Sequence, residues 1–203
     1  MTLLTTKNEI KSFATTKLKY MRDYVAMIDD LNQKLKNNQM YQSEVDLRLK
    51  DFKNQGDTYS KNTANSLMQK LDNEYNAALK DLSAKEERVT ADDVAELSLL
   101  SSMTVNSEEM LGYMDKYKNK PLALKKLQEI AQNDLGLSFS LDFSQYDNKN
   151  QLQTLIENLK KQVQNIDSRY LINGDKIDLV QAEWTLVTVK DHVEQLYMDY
   201  MKK

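Results

Sequence analysis

Apolar residues recur along this chain at steps of three and four, the spacing that keeps one face of an α-helix turned toward a partner. Ala14, Leu18, Met21, Val25 and Ile28 predict a first helix over residues 6–36, which Asn37 and Asn38 end. Tyr41, Val45, Leu49, Phe52 and Tyr59, then Leu67, Leu71, Tyr75, Ala78 and Leu82, predict a second over residues 39–87, with Gly56 a gap in the stripe and a candidate kink. Leu152, Leu155, Leu159, Val163 and Ile166 mark a helix over 148–168. The last, over 178–202, has the strictest alternation: Leu179, Ala182, Leu186, Val189, Val193, Leu196 and Tyr200. Ile177, Trp184 and Val187 add a flanking apolar strip, so this helix is expected to meet two neighbours at once. From its stripe, Leu179, Leu186, Val189, Val193 and Leu196 are the candidate helix-interface residues.

Between the long helices the texture changes. Thr90 with Asp93 reads as a capping box opening a short helix that ends near Met103. Ser107, followed by Glu108 and Glu109, reads as the cap of a second carrying Met110, Leu111, Met114 and Tyr117. Pro121 suits the first position of a third, which Leu124, Leu127 and Ile130 bury and Gly136 stops. Leu137, Phe139, Leu141 and Phe143 alternate with polar residues and predict a strand. Its expected partner is a hairpin of Tyr170-Leu171-Ile172 and Asp175-Lys176-Ile177 around Asn173-Gly174. The expected fold is therefore mainly α: an elongated helical bundle or coiled-coil hairpin with a small three-helix module and a minor β-hairpin. The expected divisions are 1–89, long helices; 90–136, the helical module; and 137–203, a short β element with two helices packing back on the bundle.

Composition supports the helices. One proline and four glycines in 203 residues leave few enforced breaks. A mean hydropathy of −0.69 suits helices with narrow buried stripes. The formal charge of −3 is too small to mark a polycation made for nucleic acid. Without cysteine there are no disulfides, thiolate metal sites or cysteine nucleophiles. Residues 1–11 lack the apolar run and cleavage site of a signal peptide, and no stretch reaches the ~20 apolar residues of a membrane span. A cytoplasmic or virion-associated location is expected.

Candidate chemistry is sparse. The one histidine, His192, has no second histidine or helical acid pair to share an ion with. The adjacent acids Asp29-Asp30, Glu86-Glu87, Asp92-Asp93 and Glu108-Glu109 point about 100° apart on a helix and do not converge as a catalytic pair must. No phosphate loop, dinucleotide fingerprint or nucleophile elbow occurs. No catalytic residue, cofactor or metal ligand is expected. Lys116, Lys118, Lys120, Lys125 and Lys126 cluster at the turn between two short helices, as phosphate contacts of a trihelical nucleic-acid reader would. Residues 90–135 nevertheless hold eight acids against those five lysines. The first 38 residues carry seven basic and four acidic side chains, a mildly basic amphipathic helix better suited to a partner helix than to a membrane surface.

Thr90-Ala-Asp-Asp-Val, Leu99-Leu100, Ser107-Glu-Glu-Met, Tyr113 to Tyr117 and Asn119-Lys-Pro-Leu-Ala-Leu-Lys-Lys-Leu together resemble small helical proteins from structural and assembly modules of tailed bacteriophages. The resemblance spans residues 90–132, implies a particle-assembly role and carries no functional residues with it. The expected function is thus a non-enzymatic structural or assembly protein acting through helix-mediated protein contacts, homo-oligomeric, and a phage virion or scaffold-like component. Two other readings stand beside it: a regulator or inhibitor that binds a host or cellular complex, and a nucleic-acid binder using the 116–126 lysines.

Overall fold

A computed structural model of the chain describes residues 3–133, 141–171 and 174–202. The fold is a helical bundle: α1 (Leu3–Lys36), α2 (Gln42–Lys85), α3 (Ala91–Leu100), α4 (Ser107–Lys116), α5 (Pro121–Gln132), a 3-10 turn (Phe143–Tyr146), α6 (Asn148–Asp167) and α7 (Lys176–Met201). It divides into two compact units. One comprises Met1–Glu74 with Leu155–Lys202, the other Tyr75–Thr154.

In the first unit α1 packs along α7. Ile10, Phe13, Ala14, Met21, Val25 and Leu31 of α1 are buried, as are Leu155, Ile156, Leu159, Val163 and Ile166 of α6 and Ala182, Leu186, Val189 and Val193 of α7. The α1 stripe departs from expectation: Leu18 and Ile28 are only half-buried, and Thr6, Lys7 and Lys17 are buried. Lys17 Nζ donates to Ser60 Oγ (2.9 Å) and to the Asp167 carbonyl (3.4 Å), so the ammonium enters the interior with partners. The turn after α1 falls where the two asparagines stand; Asn38 takes the left-handed conformation (φ 52°), which asparagine tolerates.

Helix α2 passes through Gly56 without a break. Gly56, Ser60 and Ala64 are buried at steps of four, ahead of Leu67 and Leu71, whereas Tyr41 and Tyr59 are exposed. The glycine is there because α1 comes close. The Tyr20 ring lies over it, donates its hydroxyl to the Phe52 carbonyl and stacks on the Phe52 ring at 4.6 Å between centroids. Ion pairs flank this core: Lys7 and Lys11 with Glu194 (both 2.6 Å), Lys70 with Glu9 (2.6 Å) and Arg22 with Glu183 (2.7 Å).

The second unit holds the three short helices. Both α3 and α4 meet α5 around Leu97, Leu100, Val105, Met110, Met114, Tyr117, Ala123, Leu127 and Ala131. Thr90 and Asp93 form the expected capping box. The second box uses Asn106 with Glu109, and Ser107 is the first helical residue rather than the cap, because the asparagine side chain already satisfies the Glu109 amide. Pro121 opens α5 as expected. Gly136, proposed as its stop, lies outside the described residues.

No strand is present among the described residues. Of the predicted strand, residues 137–140 lie outside the description. Asp142 accepts from the Ser144 amide, and residues 143–146 curl into the 3-10 turn, with Leu141, Phe143 and Tyr146 packed on the module core. Ile172 and Asn173 of the predicted hairpin are likewise outside the description. Its second arm is corrected: Asp175 caps α7 by accepting from the Asp178 amide (2.8 Å), so Lys176 and Ile177 are helical.

Candidate functional site

Helix α7 starts at a reciprocal cap. Asp175 accepts from the Asp178 amide, and the Asp178 carboxylate accepts from the Gly174 amide (3.0 Å). Gly174 has φ +68°, a backbone that suits glycine, and turns the chain into the helix. From there α7 carries two apolar stripes on opposite faces. Leu186, Val189 and Val193 are buried inside the first unit, with Leu179 and Leu196 half-buried beside them. The five candidate helix-interface residues therefore lie on the side of α7 that packs within its own chain.

The opposite stripe has no cover among the described residues. Ile177, Val180, Trp184 and Val187 step by three, four and three, which sets them in one row on a helix. They are 71, 51, 74 and 47 % exposed. The sequence strip had shown three of them; Val180 completes it. Lys176 and Asp191, both exposed, lie at the two ends of the row. A tryptophan in the middle of such a row is the side chain most often found to dominate a protein contact.

The lysine cluster sits differently from the arrangement a phosphate-binding surface needs. Lys116 pairs with Glu96 (2.5 Å), Lys118 with Asp115 (3.1 Å), Lys120 with Asp93 (2.7 Å) and Lys126 with Glu129 (3.1 Å). Lys125 is exposed and carries no acid partner among the described residues. Beneath the turn, Tyr117 is fully buried and donates its hydroxyl to Glu96, while Lys116 and Lys120 lie 5.3 and 5.8 Å from its ring centre. Lys120 and the Thr90 amide hold the Asp93 carboxyl down to about 2, and Lys116 and Tyr117 depress Glu96. Burial, with Glu96 beside it, pushes the Tyr117 phenol up. Of these partners, Asp115 and Glu129 stand beside the lysines in sequence, whereas Glu96 and Asp93 come from α3.

His192 is exposed on α7. Among the acid pairs, Asp93 and Glu109 act as capping-box residues and Glu86 pairs with Lys149 (2.6 Å). Among the described residues, no three histidine, aspartate or glutamate side chains stand together to hold a metal ion. No helix of the described residues is long and apolar enough to cross a membrane. No family model matches this chain, and no match is found among curated proteins or solved structures.

Proposed function

We propose that this chain is a non-enzymatic assembly protein that works through helix-mediated contacts, and that the outer face of α7 binds a second copy of itself. The observation behind this reading is the Ile177-Val180-Trp184-Val187 row on a helix whose other face is already packed. An antiparallel pair about a twofold axis beside Trp184 sets Val180 opposite Val187 of the second copy. The same register sets Lys176, which lies 3.9 Å from Asp29 of its own chain, opposite Asp191 of the second copy. Each row offers roughly 400 Å² of apolar surface.

The bacteriophage-like texture of residues 90–132 extends the proposal to particle assembly, with the chain in a virion or in the cytoplasm where particles form. Genomic neighbourhood tests that extension: flanking capsid or tail genes favour it, and their absence speaks against it. The nucleic-acid reading gains nothing from four lysines already paired with acids. The decisive experiment for the self-association is molar mass against concentration for the native chain and for Trp184→Glu. A concentration-dependent dimer that the glutamate abolishes supports the proposal. A native chain that stays monomeric at high concentration refutes it, and then the same face is left to a different protein, as a regulator would use it.

A further inference from the structure

A second feature of the first unit is independent of the α7 row. A cleft of about 140 Å³ is lined by Lys17, Tyr20, Met21 and Tyr24 of α1, Lys53 and Asp57 of α2, and Arg169, Tyr170, Leu171 and Gly174 from the segment that joins α6 to α7. Its lining holds three cations and one acid. Lys17 is fixed by Ser60 and by the Asp167 carbonyl, with its Nζ 4.8 Å from the Tyr170 ring centre. The Asp167 carboxylate, which accepts from the Ser60 hydroxyl at 2.7 Å, offsets the Lys17 charge.

Asp57 stands in the same lining, but neither the Lys53 nor the Arg169 side chain meets an acid or a hydrogen-bond acceptor among the described residues. The Arg169 Nε is buried and unpartnered. Buried donors nearly always have an acceptor, and a guanidinium N–H is among the strongest donors a protein has. The donor therefore marks the place of an acceptor that the described residues do not supply. The Tyr24 and Tyr170 hydroxyls also make no hydrogen bond within the described residues, which leaves them free to donate. Burial holds the Tyr170 phenol above its ordinary value, so it stays an O–H donor at neutral pH.

We infer that this cleft binds a phosphate group, with Arg169 and Lys53 as its direct partners. The volume equals the share of about five water molecules, room for a phosphate and a few further atoms but well short of the ~300 Å³ of an ordinary organic-ligand pocket. A phosphate is preferred over a carboxylate because its three acceptor oxygens can take the Arg169 and Lys53 donors and the free hydroxyls together, while Asp57 in the same lining leaves one net positive charge there.

The test is calorimetric titration of the full chain with sodium phosphate and, at matched ionic strength, with sodium acetate. Phosphate is expected to bind and acetate to bind at least tenfold more weakly. Arg169→Lys keeps the charge and removes the Nε donor; Lys53→Met changes an exposed position that the fold does not need. Each is expected to weaken phosphate about tenfold with the helical circular-dichroism spectrum unchanged. Lys80→Met, at an exposed α2 position that is not part of the cleft lining, is expected to bind phosphate as the native chain does. Equal responses to phosphate and acetate overturn the inference, as does no response, or a response that Arg169→Lys and Lys53→Met both retain.

Discussion

Replacing Gly56 by alanine separates two accounts of that residue. If it were a weak point in α2, alanine would stabilise the helix by ~1 kcal/mol through its better propensity. The structure gives the opposite sign. A Cβ at position 56 would lie 2.0 Å from Tyr20 Cζ, 2.3 Å from Cε1 and 2.4 Å from the hydroxyl, so the ring must leave. Leaving breaks the hydrogen bond to the Phe52 carbonyl and the stack of Tyr20 on Phe52. The hydrogen bond is worth ~1 kcal/mol and the ring packing about 1–2 kcal/mol. Tyr20 is half-buried and the colliding atoms are the far end of its side chain, so the ring can swing outward and no larger backbone strain is added. Subtracting the propensity gain leaves a net loss of ~1–2 kcal/mol, read as a lower urea midpoint with an unchanged slope. The phenol, held up to about 12 chiefly by burial, should also titrate closer to the ordinary value in the variant, which ultraviolet absorbance follows. In a Tyr20→Ala background the same alanine meets no ring and should stabilise. If Gly56→Ala stabilises the native background, the close approach of α1 to α2 is wrong.

Three further expectations follow from other sites. Asp93, held near 2 by Lys120 and the Thr90 amide, contributes stability that is complete above the unfolded carboxylate range near 4 and is lost as pH falls from about 4 to about 2; Asp93→Asn should flatten acid unfolding in that window, followed by circular dichroism. Gly174→Ala forces a side chain into a left-handed backbone with its Cβ 2.9 Å from Ile28 Cδ1, and should lower stability by ~1–2 kcal/mol in denaturant melts. Tyr117→Phe removes the hydroxyl that Glu96 accepts while keeping the buried ring, and should cost ~1 kcal/mol by the same assay; an unchanged midpoint would show that Lys116 alone satisfies the glutamate.

The helices were legible because their buried faces obey a short period, and none more so than the inner stripe of α7, whose alternation survives in burial from Ala182 to Val193. Caps were legible for the same local reason: Thr90 with Asp93 and Pro121 act within one turn of the chain. What failed depends on distant partners. Gly56 is only a gap in the α2 stripe and a candidate kink until Tyr20 of another helix is laid over it, and the Gly56-Ser60-Ala64 row of small residues was the available sign of that approach. Lys17 looks like a surface lysine because neither Ser60 nor Asp167 is near it in sequence. The alternation through Leu141 and Phe143 suited a strand and equally suits a short turn that puts both side chains on the module core. The cleft was invisible for a stronger reason: its lining comes from α1, α2 and the segment after α6, which no local motif joins. The lysine cluster was visible, but Asp93 and Glu96 lie 27 and 20 residues before the lysines they pair with, so that pairing was not.

The central claim is that the outer row of α7 is a contact between copies. Sedimentation equilibrium across a hundredfold concentration range measures it most directly, with the native chain beside Trp184→Glu. The expected result is a native chain rising from one to two chain masses, a glutamate variant that holds one mass throughout, and the same helical spectrum for both. A native chain of one mass at every concentration, or a dimer indifferent to Trp184→Glu, contradicts it.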